Sequence, residues 1–328
     1  IRMYKRIILR TVFSLITISI LLAFCLSSFA NTTRLTFSTA GTGGTYYPMG
    51  VGVSSFFTKA IPNVEVTCQT SGGSAENIRL LQNEEVDMCW ANGSEIFWAW
   101  NGEEFFKGKK YDKMRIVSFA WTNTYHFLSL EDSQISEIND FNGKKIGIGP
   151  NGSGAAIFGE TFLRHIGIWD KIKPMFLPPS DQIVSLKNKN IDVFGYFSGM
   201  PMAAIIDISA SHNIQIIDLQ KDGEKNDFTK TFPFYIKTTI PKGTYKDQKE
   251  DIGSYSNLTY WIASEDVPEE IIYNLVKNLF SDEGIEYMKT VHKRSEELAL
   301  ENILKGVKEL GVPLHPGVKK FLKENNIN

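Results

Sequence analysis

The stretch that most constrains this chain is Gly41-Thr-Gly-Gly-Thr-Tyr-Tyr-Pro-Met-Gly50, which follows a strand-like run, Leu35-Thr-Phe-Ser-Thr39, and leads into a helix-like one. Glycines at 41, 43 and 44 let the backbone come close to a ligand, and Pro48 suits a first helical turn, where its missing N–H removes no bond. Strand, glycine-rich loop and helix N-terminus thus point at one place. Such an N-terminus carries unpaired N–H groups and a partial positive charge, which suit a carboxylate or a phosphate. Neither GxGxxG nor GxxxxGK(S/T) fits here, which counts against a dinucleotide or a Walker-type triphosphate.

The same unit recurs downstream. A helix over Tyr46–Ala60 and a strand over Val64–Thr70 lead to Ser71-Gly-Gly-Ser74, where Ser74 is expected to N-cap a helix over Ala75–Asn83. Strand Val86–Ala91 ends at Asn92-Gly-Ser94, at the carboxyl edge of the sheet where ligands of open α/β folds bind. Tyr125–Leu130 reads as a strand leaving this unit, and Lys144–Ile148 opens a second one with Gly149-Pro-Asn-Gly-Ser-Gly154 and an apolar helix face of Phe158, Phe162, Leu163 and Ile166. Strand Ile191–Tyr196 runs into Ser198-Gly-Met-Pro201 and a helix over Ala203–Ile208. Lys221–Lys230 is expected as a polar loop, Gly253–Ala263 as a strand crossing back, and Pro268–Phe280, Ser281–His292 and Glu296–Leu310 as helices wrapped around the outside.

These alternations predict an α/β fold of two lobes with a ligand cleft between them: residues 31–124 with 254–328 in lobe 1, and residues 125–253 in lobe 2. Helix N-termini from both lobes suit a small anionic solute held by backbone N–H and hydroxyl groups.

Ahead of the first strand, Arg2, Lys5, Arg6 and Arg10 precede an apolar run from Val12 to Phe24 and then Ser27-Ser-Phe-Ala30. That is the layout of a secretory signal peptide over residues 1–30, and it places the mature chain in the periplasm. Phe24 before Cys25 argues against a lipid-anchored form. Loss of those four basic residues makes the mature chain more acidic than the −2 of the whole, which counts against nucleic acid as a partner. Cys68 and Cys89 read as two buried apolar thiols rather than a disulfide, and no CxxC, HExxH or EF-hand spacing points to a metal or cofactor. His126, His165, His212, His292 and His315 are scattered, and none neighbours a serine in a nucleophile elbow, so the chain is expected to bind rather than catalyse. Phe97, Trp98 and Trp100 read as core or inter-lobe aromatics.

Thr39-Ala-Gly-Thr-Gly-Gly-Thr-Tyr-Tyr-Pro-Met-Gly50, Thr70-Ser-Gly-Gly-Ser-Ala-Glu-Asn77, Asn142-Gly-Lys-Lys-Ile-Gly-Ile-Gly-Pro-Asn-Gly-Ser-Gly154 and Ser198-Gly-Met-Pro201 resemble, in order, the TAXI family. TAXI proteins are the solute receptors of one class of tripartite ATP-independent periplasmic (TRAP) transporters. The resemblance implies a type II periplasmic-binding-protein fold and a monomer that closes on its solute and delivers it to membrane permease subunits. It implies glutamate, glutamine or a dicarboxylate as solute; several such proteins were first described as immunogenic antigens, so a ligand-sensing periplasmic role without transport is the alternative. Carried over by motif, the ligand contacts are Gly43, Gly44, Thr45, Tyr46 and Tyr47; Ser71, Gly73, Ser74 and Asn77; Asn151, Ser153 and Gly154; and Gly199 with Pro201. Of the adjacent tyrosines, one is expected in the cleft and one in packing. Ser94 stands where many similar sequences carry Asp, so no amino-group contact is carried over to it.

Overall fold

The computed structural model describes residues 32–327, so the signal-peptide expectation lies outside the described residues. Strand β1 (Thr33–Ser38) leads into helix α1 (Tyr46–Ala60), β2 (Val64–Gln69) into α2 (Ser74–Gln82) and β3 (Met88–Asn92) into α3 (Gly93–Asn101). In β1 the alternation of polar and apolar residues buries Leu35 and Phe37 and leaves Arg34 exposed. Strand β1 lies parallel to both β2 and β3, as β–α–β connections require.

The long strand β4 (Met114–Leu130) then crosses the molecule, and β5 (Lys145–Gly147), α4 (Gly154–His165), β6 (Lys173–Met175), α5 (Pro179–Lys187), β7 (Val193–Ser198) and α6 (Ala203–Ser211) build the second unit. Strands β8 (Ile214–Ile217) and β9 (Ile236–Ile240) follow, and β10 (Ile252–Ser264) crosses back antiparallel to β4. Helices α7 (Glu269–Leu279), α8 (Asp282–Val291) and α9 (Pro316–Glu324) close the first unit. The sheet order is β2-β1-β3-β10-β4-β7-β5-β6, with β8 on β4 and β9 on β10. Strands β4 and β10 alone run through both halves, and their ladder carries register shifts at Thr259/Tyr260 and Trp261/Ile262.

One core sandwiches the first half between the sheet and α1, α7 and α9; there Phe57 stacks on Trp261 at 5.5 Å and Phe37 meets Trp90 at 4.7 Å. The other core lines the opposite face and continues into the second half, where Phe158 meets Tyr125 at 4.4 Å and Tyr235 at 4.9 Å.

Three expectations are corrected. The segment Lys221–Lys230 is not a loop but two short helices, Gln220–Lys225 and Phe228–Thr231, anchored by the buried Phe228. Glu296–Leu310 is not one helix: it breaks into turns at Lys293–Glu297 and Leu300–Asn302 and a single helical turn at Val307–Leu310. Gly306 sits at φ 69°, and the Ile303 carbonyl accepts the Phe119 N–H of β4 at 3.0 Å, so sheet contact takes a group a helix would use. The helix N-cap at α2 is Gly73 at φ 115°, not Ser74. Cys68 and Cys89 are free, the second fully buried.

Candidate ligand site

The carboxyl ends of β1, β2, β3, β5 and β7 deliver their loops to one cavity. From the first half it is lined by Ala40, Gly44, Thr45, Tyr46, Gly72, Gly73, Ser74 and Asn92, and from the second by Ser153, Gly154, Ala155, Tyr196 and Phe197. It leaves about 20 Å³ for the centre of a water-sized sphere, room for about one water. A solute of amino-acid size therefore enters only when the walls part.

On the first wall, the Tyr46 hydroxyl donates to Asn92 Oδ1 at 2.8 Å and lies 3.1 Å from Ser74 Oγ. Asn92 Oδ1 also accepts from Asn123 Nδ2 and Thr259 Oγ1, each at 3.2 Å, so that oxygen is saturated. The Ser74 hydroxyl accepts the Asn92 N–H at 3.2 Å, which is why it does not cap its own helix. Burial pushes the Tyr46 phenol far up, so it remains a neutral donor.

On the second wall, Ser153 caps α4 by accepting the Ala156 N–H at 3.0 Å, as its sequence position predicts. A Cβ on Gly154 would lie 2.7 Å from Asn92 Nδ2 and 3.2 Å from Ser74 Oγ, so only glycine lets α4 start this close to the first wall. The walls are joined at the rim: the Gly199 N–H donates to Thr45 Oγ1 at 3.0 Å, and the Ala204 N–H to the Gly43 carbonyl at 3.4 Å.

Beside Asn92, Glu95 sits in the first turn of α3, fully buried, with neither carboxylate oxygen hydrogen-bonded. A Cβ on Gly154 would lie 3.3 Å from its Cδ. Burial pushes its carboxyl up to about 7, and its own N–H, Ser94 and Asn92 offset this only in part, none of them reaching hydrogen-bond geometry.

Of the residues singled out from the sequence, Gly44, Thr45, Tyr46, Gly73, Ser74, Ser153 and Gly154 line the cavity, and Gly43 and Gly199 lie at its rim seam. Tyr47 is half-buried away from the lining. Ser71 Oγ donates to the Thr39 carbonyl at 2.9 Å, and Asn77 is wholly engaged: its Oδ1 accepts from Ser38 and Ser71, and its Nδ2 donates to the carbonyls of Thr39 and Trp90. Asn151 is exposed. Pro201 lines a separate surface groove with Arg294 and Glu297. Tyr196 and Glu95 escaped the motif reading, and the Asn92 loop was placed at the ligand edge of the sheet without Asn92 being named as a contact. For Glu95 the available signal was a lone carboxylate opening the apolar run Ile96-Phe-Trp-Ala-Trp100 just past a strand end.

Among the described residues no group of three or more His, Cys, Asp or Glu is placed to hold a metal ion, and no helix is long and apolar enough to cross a membrane.

Two solved structures share this architecture. One, described as a periplasmic transporter, is 12% identical with a TM-score of 0.53, covering 92% of this chain and 99% of its own. The other, the periplasmic binding protein BugD, is 12% identical with a TM-score of 0.53, covering 90% of this chain and 98% of its own. The fold is accordingly the two-lobed α/β fold of periplasmic solute-binding proteins. The sequence model of the NMT1-like family matches residues 37–325, nearly all that the structure describes, and the chain belongs to that family.

Proposed function

We propose that the protein is a periplasmic solute receptor of the TAXI type, which binds a small anionic solute such as glutamate, glutamine or a dicarboxylate and hands it to the permease subunits of a TRAP transporter. The observation that carries the reading is that α1, α2 and α4, from both halves of the molecule, begin at one cavity whose lining includes no Lys, Arg or His. Their free N–H groups and the Ser74 and Ser153 hydroxyls supply donors for a carboxylate without a counter-charge. The membership in the NMT1-like family and the fold shared with BugD support a binding role. In this reading the lobes divide between residues 124 and 125 and between 253 and 254, and the rim contacts from Thr45 to Gly199 and from Gly43 to Ala204 form on closure.

Differential scanning of the purified monomer against a panel of amino acids and organic acids tests this. A solute that binds only the folded chain raises the melting temperature by mass action. No shift with any anion overturns the reading.

A further inference from the structure

Among the described residues, the charged side chain packed directly behind the lining residue Gly154 is negative. Glu95 is fully buried, belongs to none of the ion pairs among the described residues, and has two unpartnered oxygens behind Gly154. An ionised carboxylate held this way is costly, and a partner cation repays that cost only when it arrives with hydrogen bonds. The nearest donors on the protein side, the Ser94 hydroxyl and the Asn92 amide, offset its burial only in part and reach hydrogen-bond geometry with neither carboxylate oxygen. Tyr235 adds a second open group, since its hydroxyl is buried without a partner and lies beside Ser94 and Glu95. Glu95 thus lies just behind the lining, against the start of α4 and with Tyr235 near it, next to the helix starts that suit a carboxylate.

Resting on the solute-receptor reading above, we propose that Glu95 receives a protonated amine of the solute, so that among small acids this site selects those carrying an ammonium group. An ammonium brings three donors; Glu95 takes one or two and Tyr235 Oη another, while the carboxylate faces the starts of α2 and α4. A dicarboxylate without an amine leaves Glu95 either charged and unpaired or protonated.

The test is calorimetric titration with matched pairs of L-amino acids and their 2-oxo acids: glutamate with 2-oxoglutarate, alanine with pyruvate, leucine with 4-methyl-2-oxopentanoate. The wild type is expected to bind the amine member of at least one pair ~tenfold or more tightly, the range of a charge-assisted hydrogen bond. In Glu95→Gln, which keeps the shape and removes a buried charge, that preference is expected to fall to about threefold or less, with the 2-oxo acid retained. Equal affinity within every pair that binds, or an undiminished preference in Glu95→Gln, overturns the proposal while leaving the receptor reading intact. An oxo acid bound more tightly by the wild type means that protonated Glu95 serves as a donor to an anion, and also overturns it. Binding of no member of any pair overturns this inference and leaves the receptor reading to the wider panel of amino and organic acids. The wild-type preference is read without any variant.

Discussion

Thr45 Oγ1 accepts the backbone N–H of Gly199 at 3.0 Å and lies 2.9 Å from Ser198 Oγ, so the residue before α1 is tied to the loop after β7, more than 150 positions along the chain. Thr45→Val keeps the shape and removes the acceptor. The Gly199 N–H is then buried unpaired whenever the rim is shut, a cost of about 1–3 kcal/mol. Stopped-flow displacement is expected to show solute dissociation accelerated by roughly tenfold or more, with little change in the melting temperature of the free protein.

Gly154→Ala separates stability from closure. At the first position of α4 an alanine favours the helix by up to about 1 kcal/mol. Its Cβ nevertheless meets Asn92 Nδ2 and Ser74 Oγ, from the opposite wall. Affinity is expected to fall by ~tenfold or more while the denaturation midpoint in urea holds or rises. A parallel loss of both would place the defect in folding.

Asn77→Ala is expected to act on the fold. Its amide bridges Ser38, Ser71, Thr39 and Trp90 from a fully buried position, and truncation leaves those groups unpaired. A loss of about 2–4 kcal/mol in urea denaturation is expected.

Two kinds of buried group give stability opposite dependences on pH between about 4 and 7. Burial pushes His126 and His315 down to about 4, and their bonds fix them neutral. His126 Nδ1 donates to the Thr124 carbonyl at 3.0 Å, so its Nε2 accepts the Tyr245 hydroxyl at 2.9 Å, whose oxygen in turn accepts the Met202 N–H. Their stabilisation is complete above the ordinary imidazole value of 6.5 and is lost as pH falls through about 4. Glu95 has the opposite sign: held as an acid up to about 7, it stabilises fully below its ordinary 4.5, and that contribution is lost as pH rises through 7. Because the two histidines outweigh Glu95 between about 4.5 and 6.5, urea titrations of the unliganded protein are expected to show stability falling as pH drops below about 6.5, with no further loss from these groups above about 7. In Glu95→Gln the opposing loss between about 4.5 and 7, on the order of 3 kcal/mol, disappears, so the rise in stability from pH 4.5 to 7 is expected to be steeper than in the wild type.

The glycine-rich loops were the legible part of the site. Helix α1 spans Tyr46–Ala60 as its pattern predicts, and β10 crosses back over Ile252–Ser264, close to the expected Gly253–Ala263. Ser153 caps its helix because nothing nearer competes for its hydroxyl, whereas Ser74 is drawn off by Asn92 and Tyr46, residues distant in sequence. Helix α5 went unread: Pro178-Pro179 looks like a break, yet Pro179 opens the helix where its missing N–H costs nothing. Asn77 carries a motif position, but its role is decided by four partners brought in by three strand ends, which spacing cannot reveal. Glu95 was hidden for the same reason, since what marks it is the lack of any partner in three dimensions.

The sheet continuity through β4 and β10 has a mechanical consequence. All other strands stop within one half, so the halves share a spine two strands wide, already irregular where the β10 ladder shifts register. A ribbon this narrow resists stretching and sliding, because either would break its ladder, but yields to twist, which β-structure accommodates at small expense. Away from this spine the halves also meet at the mouth, where Thr45 Oγ1 and the Gly43 carbonyl accept the N–H groups of Gly199 and Ala204. Twisting that spine is the motion that would make or break these two bonds.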